Sequence, residues 1–231
     1  GSNGEYKNVR FGLFAAEDIT AANGTSIPAG GLISEISLEE DMSAQFDTAL
    51  PFGKYYVQEI ATDEHYVLNG EKYLVTFEYM GQDIQTVDID CGEFENIIKR
   101  GRIEGHKTDD KSEPLENAVF GLFRKDCKVF SESNAIMTAV SDEKGYFEFG
   151  NIPYGEYVVR EIKAPRGYIL SNKSYPVSIS EDGEVIEITA ENKPITVEIS
   201  KRDIYGNELK GAKMQIIDSE GNIVDEWTSD G

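Results

Sequence analysis

Histidine and cysteine are nearly absent from this chain, with two of each among 231 residues. His65 and His106 have no cysteine or histidine at metal-ligand spacing, which argues against a zinc site. Cys91 and Cys127 occupy non-equivalent places in the repeats described below, so two separate thiols are expected rather than a disulfide framework. Positive charge is also scarce: 22 Lys and Arg stand against 43 Asp and Glu, a net charge of −21. Nucleic acid and anionic membrane surfaces select basic faces, and neither is an expected partner. No apolar run is long enough to span a bilayer. No basic-then-apolar leader opens the chain, but its first two residues, Gly-Ser, read as a cloning remnant, so that absence is uninformative. The acidic loops at Asp109-Asp110, Asp126 and Asp142-Glu143 lack the spacing of a calcium loop and read as solvated charge. Nothing resembles a nucleophile elbow, a phosphate loop or a paired-carboxylate site. No metal, no cofactor and no enzymatic turnover are expected.

What the chain has instead is repetition. Residues 153–170, PYGEYVVREIKAPRGYIL, return upstream as residues 51–68, PFGKYYVQEIATDEHYVL. Three unit openings also overlay: KNVRFGLFAAED at 7–18, ENAVFGLFRKDC at 116–127 and KGAKMQIIDSEG at 210–221. Nearly every segment is a short alternating run bounded by Gly, Asn, Asp or Pro, the pattern of an all-β protein. Helix signals are thin, a turn at most in 38–45 and 131–138. The repeats predict tandem β-sandwiches with short links: residues 1–98, 99–194 and the beginning of a third unit over 195–231. Only the middle unit looks whole. The first lacks a counterpart of the strand that opens the second, and the third stops before its Pro-x-Gly strand.

Strand parity then singles out polar residues on apolar faces. Successive strand residues point to opposite sides of a sheet. Glu161 shares a face with Tyr157 and Val159, and Glu59 shares one with Tyr55 and Val57. Lys107 has the parity of Ile103; Lys201 follows Ile195, Val197 and Ile199. Asn192 continues Ile186, Ile188 and Ala190. In an apolar pocket both the ammonium and the carboxylate are disfavoured, so a lysine loses its proton more readily and a glutamic acid keeps its own. A neutral amine is a nucleophile. A protonated Glu161 would polarise the Asn192 carboxamide and shuttle protons while ammonia leaves. The product would be an isopeptide bond between Lys107 and Asn192. A buried ion pair with Asn192 as hydrogen-bond partner would satisfy the same groups without covalent chemistry.

The ordered set Lys-Thr-Asp (107–109), Pro-Leu-Glu-Asn-Ala-Val-Phe-Gly-Leu-Phe (114–123), Tyr-Val-Val-Arg-Glu (157–161), Ala-Pro-x-Gly-Tyr (164–168) and Glu-Asn-Lys (191–193) resembles the Cna B-type, SpaA-like domain. These are prealbumin-like (reverse immunoglobulin-like) β-sandwiches of Gram-positive pilins and adhesins. The resemblance spans the middle unit, most of the first and the start of the third. It implies Lys107 as nucleophile, Glu161 as catalytic acid and Asn192 as acceptor. It also implies an extracellular, cell-wall-anchored protein whose signal and anchor lie outside this stretch.

The outer units depart from the pattern. The first keeps Glu59 and Asn96 but has no matching lysine, since Lys7 falls on another strand, and it reads Ala-Thr-Asp-Glu-His-Tyr at 61–66. Val87, Ile89 and Cys91 are out of phase with Phe94 and Asn96, which calls for a bulge near Gly92. The third unit has Lys201 without acid or amide. One expectation is strand exchange: residues 195–201 dock into the first unit of a second chain and present Lys201 to Glu59 and Asn96. The alternative is simply frayed ends. Three function classes follow: a structural stalk held by internal cross-links, a binding module contacting a host matrix protein or glycan through 15–45 and 124–140, and an accessory domain of a larger secreted enzyme. An exposed apolar patch on the variable segments would favour binding.

Overall fold

The computed structural model describes residues 4–21, 23–79, 81, 89–217 and 220–230. Short alternating segments form strands almost throughout, with single 3-10 turns at Glu5–Asn8 and Glu132–Asn134. In chain order the strands are β1 (Arg10–Ala15), β2 (Ile19–Thr20), β3 (Ser26–Ile27), β4 (Leu32–Ser37), β5 (Gly53–Ala61), β6 (Tyr66–Val67), β7 (Tyr73–Phe77) and β8 (Ile97–Ile98). They continue as β9 (Arg100–Asp109), β10 (Val119–Arg124), β11 (Met137–Val140), β12 (Tyr146–Pro153), β13 (Gly155–Lys163), β14 (Ser174–Ile179), β15 (Val185–Asn192), β16 (Lys213–Ile217) and β17 (Ile223–Thr228).

The middle strands make a two-sheet sandwich. One sheet runs β11-β10-β13-β14 and the other β12-β9-β15, with β9 and β15 parallel. Between them lie Ile103, Phe120, Leu122, Phe147, Phe149, Val159 and Ile179, all nearly inaccessible. The Phe120 and Phe147 rings stack at 3.9 Å across this core. Each such buried ring contributes roughly 2–3 kcal/mol by burial.

The first strands repeat the four-stranded sheet in the order β4-β1-β5-β7. Registers coincide as well: Phe11 faces Glu59 on β1 and β5, Phe120 faces Glu161 on β10 and β13, and each ladder slips just before that phenylalanine. The repeated Pro-x-Gly-x-Tyr turn has a physical cause. Tyr55 donates its hydroxyl to the Pro51 carbonyl at 2.5 Å, and Tyr157 does the same to Pro153 at 2.9 Å. Gly155, at φ 147°, takes a backbone conformation between them that side chains disfavour.

The second, three-stranded sheet has no counterpart among the described residues of the first group. Residues 43–52 and 89–96 carry no ladder, although Phe46, Leu50, Cys91 and Phe94 pack partly against the core. Of residues 94–99 only β8 is a strand, paired with β6. Val87 lies outside the described residues; Gly92 does take a left-handed φ of 79°. Lys7 sits in the first 3-10 turn, not on a strand.

Residues 195–201 are a correction to the strand expected there. They form no ladder, and Ile195, Val197 and Ile199 are 57%, 68% and 43% exposed. Backbone groups pair in a strand only when a neighbour supplies the ladder, and here only the two ends are held: the Ile195 amide donates to Gly167 and the Lys201 carbonyl accepts from Leu209, each at 2.8 Å. The remaining hairpin, β16-β17, stands as a two-stranded sheet. The acidic loops are turns: Asp109 Oδ1 accepts from the amides of Lys111 and Glu113, and Asp142 Oδ1 from those of Lys144 and Tyr146. Cys91 and Cys127 are unpaired.

Candidate functional site

Lys107, Glu161 and Asn192 converge inside the middle sandwich, 0%, 3% and 2% exposed. Lys107 and Asn192 come from adjacent parallel strands; Lys107 registers with Ala190, so Asn192 follows two places on along the same face. The small Ala190 leaves room for the lysine stem. Glu161 reaches across from β13 in the opposite sheet.

Asn192 Nδ2 donates to Glu161 Oε1 at 2.9 Å, and the Ser171 amide donates to Oε2 at 2.8 Å. Lys107 Nζ donates to the carbonyls of Thr108 at 2.8 Å and Ala190 at 3.4 Å. Asn192 Oδ1 is buried and faces no donor. A buried unpaired acceptor costs about 1–3 kcal/mol. A half-turn of the carboxamide would let a protonated Glu161 donate to that oxygen.

Protonation favours this exchange. Burial pushes the Glu161 carboxyl above the usual carboxylate range, against the opposing pull of the Ser171 amide, Asn192 and Lys107. Burial pushes Lys107 down, against the attraction of Glu161, Glu191 and Asp109. Both shifts move the pair toward neutral amine and neutral acid, the forms that amide exchange requires.

The first group holds the same acid and amide. Glu59 is 2% exposed and accepts from the Asn69 amide at 2.7 Å and from Asn96 Nδ2 at 2.8 Å. Asn96 also donates to Thr62 Oγ1 at 2.7 Å, and its Oδ1 is again buried without a donor. Among the described residues no lysine bonds to Glu59. Lys201, expected to point inward, is exposed because residues 195–201 have no sheet to face.

Strand parity does not point to the amides of Ser171 and Asn69 that seat the two acids, although each lies ten positions after its glutamate. His65 also acquires a setting that its sequence position does not reveal. It pairs with buried Asp63, and its ring lies 4.5 Å from Tyr154 of the middle group. Lys99 ties the same place, its amide donating to His65 and its carbonyl accepting from Tyr154.

Comparison with known proteins places this geometry in a family. The SpaA family, described as a prealbumin-like fold domain, matches residues 2–90 and again 101–194. The trypsin-resistant surface T6 protein of Streptococcus pyogenes is 30% identical over 139 residues, 56% of this chain and 25% of that protein. The collagen adhesin of Staphylococcus aureus is 30% identical over 112 residues, 47% of this chain and 9% of that one. The chain thus spans a quarter or less of either relative. The solved Bacillus anthracis TIE protein shares the fold over 100% of this chain and 40% of its own, with a TM-score of 0.59 at 23% identity. Two matched copies, one repeated sheet and one repeated acid–amide pair agree: this chain belongs to the SpaA family of prealbumin-like domains.

Proposed function

We propose that this chain is a stretch of structural stalk from a Gram-positive surface pilin or adhesin, exposed outside the cell and anchored to the wall through parts beyond it. Its modules would divide near residues 98 and 194, the middle one locked by a Lys107–Asn192 isopeptide bond. The supporting observation is the buried triad, in which Asn192 contacts Glu161 at 2.9 Å with its own oxygen unpaired.

In the proposed reaction the neutral Lys107 amine attacks Asn192 Cγ. Glu161 donates a proton to Oδ1, stabilising the tetrahedral intermediate, carries the amine's proton to the departing Nδ2, and takes back the Oδ1 proton as the carbonyl re-forms. The Cγ–Nζ bond forms, the Cγ–Nδ2 bond breaks and one ammonia leaves. The reaction happens once and consumes the protein's own groups, so no turnover is implied. A cross-link of this kind needs no oxidising compartment, which suits a surface protein with two free thiols.

Intact mass of the denatured chain tests the reading. One ammonia is missing from the wild-type chain if the bond forms, and is restored in Glu161→Ala and Lys107→Ala. A wild-type mass equal to the plain sequence would overturn it.

A second reading has its own support. Val129, Ile136 and Val140 are 62%, 46% and 55% exposed on the variable segment of the middle group. Exposed apolar side chains on one variable segment suit a protein or glycan partner, and one relative is named a collagen adhesin. Saturable retention on immobilised collagen, abolished by Val129→Asp with Ile136→Asp, would establish it; no retention would leave the stalk alone.

A further inference from the structure

The outer face of the four-stranded sheet in the first group carries an apolar row that crosses every strand. Register places Leu32 on β4 beside Phe14 on β1, Phe14 beside Tyr56 on β5, and Tyr56 beside Leu74 on β7. The core side of the same strands is taken by Phe11, Leu13, Tyr55, Val57 and Val75, so this row points away from it. Phe14 and Tyr56 stack at 5.0 Å, and the Phe14 ring lies over Gly12, where a Cβ would stand 2.5 Å from it. Leu32 and Leu74, at the two ends of the row, are 52% and 78% exposed.

The middle group covers its own version of this face. Phe123 is the counterpart of Phe14 in the repeated Phe-Gly-Leu-Phe, lies over Gly121 in the same way and is fully buried. Phe130 meets its ring edge-on at 5.0 Å, Ala135 lies against Gly121, and Arg160 stands 4.5 Å from the Phe130 ring. Phe130 and Ala135 come from the segment between β10 and β11. In the first group the segment between β1 and β4 sends Ile19 and Ile27 against the core instead, and the ends of the row stay open.

The charges beside the row suit a copy of itself. Glu35 registers with Gly12 and Gly12 with Gln58; continuing the β5-β7 register one place past Tyr73 sets Lys72 beside Gln58. The flanking row thus runs from an acid on β4 to a base at the start of β7. A two-fold axis along the strands, between β1 and β5, would lay Leu32 of one copy on Leu74 of the other, Phe14 on Tyr56, and Glu35 on Lys72, each contact occurring twice. Lys72 has no ion pair among the described residues and rests 4.4 Å from the Tyr56 ring, while Glu35 bonds Arg10 on its own face. The chain carries a net charge of −21, yet by strand parity this face sets Arg10, Lys54 and Lys72 against Glu35 and Glu78, so two copies meet here with little repulsion.

We propose that the outer face of the β4-β1-β5-β7 sheet is the contact surface for a second copy of this chain, the two sheets packing face to face about that axis. The contact uses none of the groups of the amide exchange and does not depend on it. Each copy offers the face once, so assembly stops at a dimer.

Sedimentation velocity of the full chain over a dilution series tests the proposal. The expected mass rises with concentration from one chain to two and no further. Leu74→Asp, at an exposed position, should raise the dissociation constant about tenfold or more and leave the far-ultraviolet circular dichroism unchanged. Lys72→Glu and Glu35→Lys should each weaken self-association, because each sets like charges together across the axis. Mixed in equal amounts, these two variants should pair with one another, since every such contact then joins opposite charges. A single-chain mass at every concentration overturns the inference, and so does growth beyond two chains. A dimer that Leu74→Asp leaves intact overturns this face as the contact. A mixture no tighter than its components overturns the axis.

Discussion

Asn192 hands an amide hydrogen to Glu161 across the width of the sandwich, at 2.9 Å, while its oxygen has no donor. A carboxylate bound in this way would be a poor catalyst and a costly burial. A carboxylic acid facing a turned carboxamide would satisfy both groups and would be the arrangement that the proposed exchange requires. The same orphan recurs at Asn96 beside Glu59.

Glu161→Ala is expected to leave the chain uncross-linked and less stable. Lys107 and Asn192 lie toward opposite ends of the middle group's sequence. A cross-link closing a loop that long stabilises by about 4 kcal/mol when judged as a disulfide would be. Thermal melts of the wild type and the variant, read beside intact mass, should show the gap. Equal melting temperatures would refute the cross-link's structural role.

Gly145→Ala should impair cross-linking from outside the triad. Gly145 has φ 74°, a Cβ there would lie 2.2 Å from the Lys107 carbonyl oxygen, and the Gly145 carbonyl accepts from the Lys107 amide at 2.7 Å. The backbone bearing the nucleophile must shift, and the left-handed φ adds roughly 1 kcal/mol of strain. The expected outcome is a mixture of linked and unlinked masses. Full linkage would mean that the strand absorbs the clash.

Phe120→Ala, made in the Glu161→Ala background so that unfolding stays reversible, should cost about 3–5 kcal/mol. The ring is fully buried and stacked on Phe147 at 3.9 Å. Urea titration measures it as a fall in midpoint at unchanged slope. A loss below about 1 kcal/mol would contradict the packing described.

His65 gives the first group a pH dependence. Its bond to Asp63 raises the imidazole above its ordinary value of about 6.5, with Glu5 and Glu64 assisting and partial burial opposing. Burial alone would push Asp63 up, but its bonds from His65 and Asn8 outweigh that and hold it below the usual range. A raised histidine stabilises fully below its unfolded value and loses that contribution as pH rises through the folded one. The His65 side chain is partly exposed, so the gain stays within about 1 kcal/mol. Melts across this window should fall with rising pH in the wild type and flatten in His65→Gln.

The middle group was legible because its strands run unbroken through the residues that matter. Lys107, Glu161 and Asn192 each sit on a regular strand, so parity alone places them inward. Where a strand lacks a neighbour the same reading fails. Residues 195–201 alternate as cleanly as any strand and stay outside every ladder, because alternation says which face would be buried and not what buries it. Asn96 reaches Glu59 although its segment forms no strand, so its role is carried by the Glu59 contact and not by periodicity. The His65–Tyr154 contact joins residues far apart in sequence, and no local pattern encodes it.

The parallel pairing of β9 with β15 has a mechanical consequence. The chain enters the middle group at the start of β9 and leaves it at the end of β15, and these two strands lie side by side from Val185 against Arg102 to Asn192 against Asp109. Tension applied along the chain therefore pulls them past one another, loading the whole ladder at once instead of peeling it bond by bond. With Lys107 joined to Asn192, that tension would cross from one strand directly to the other. Everything between the two residues, including most of the core, would lie off the line of pull and keep its length while the rest of the molecule is stretched.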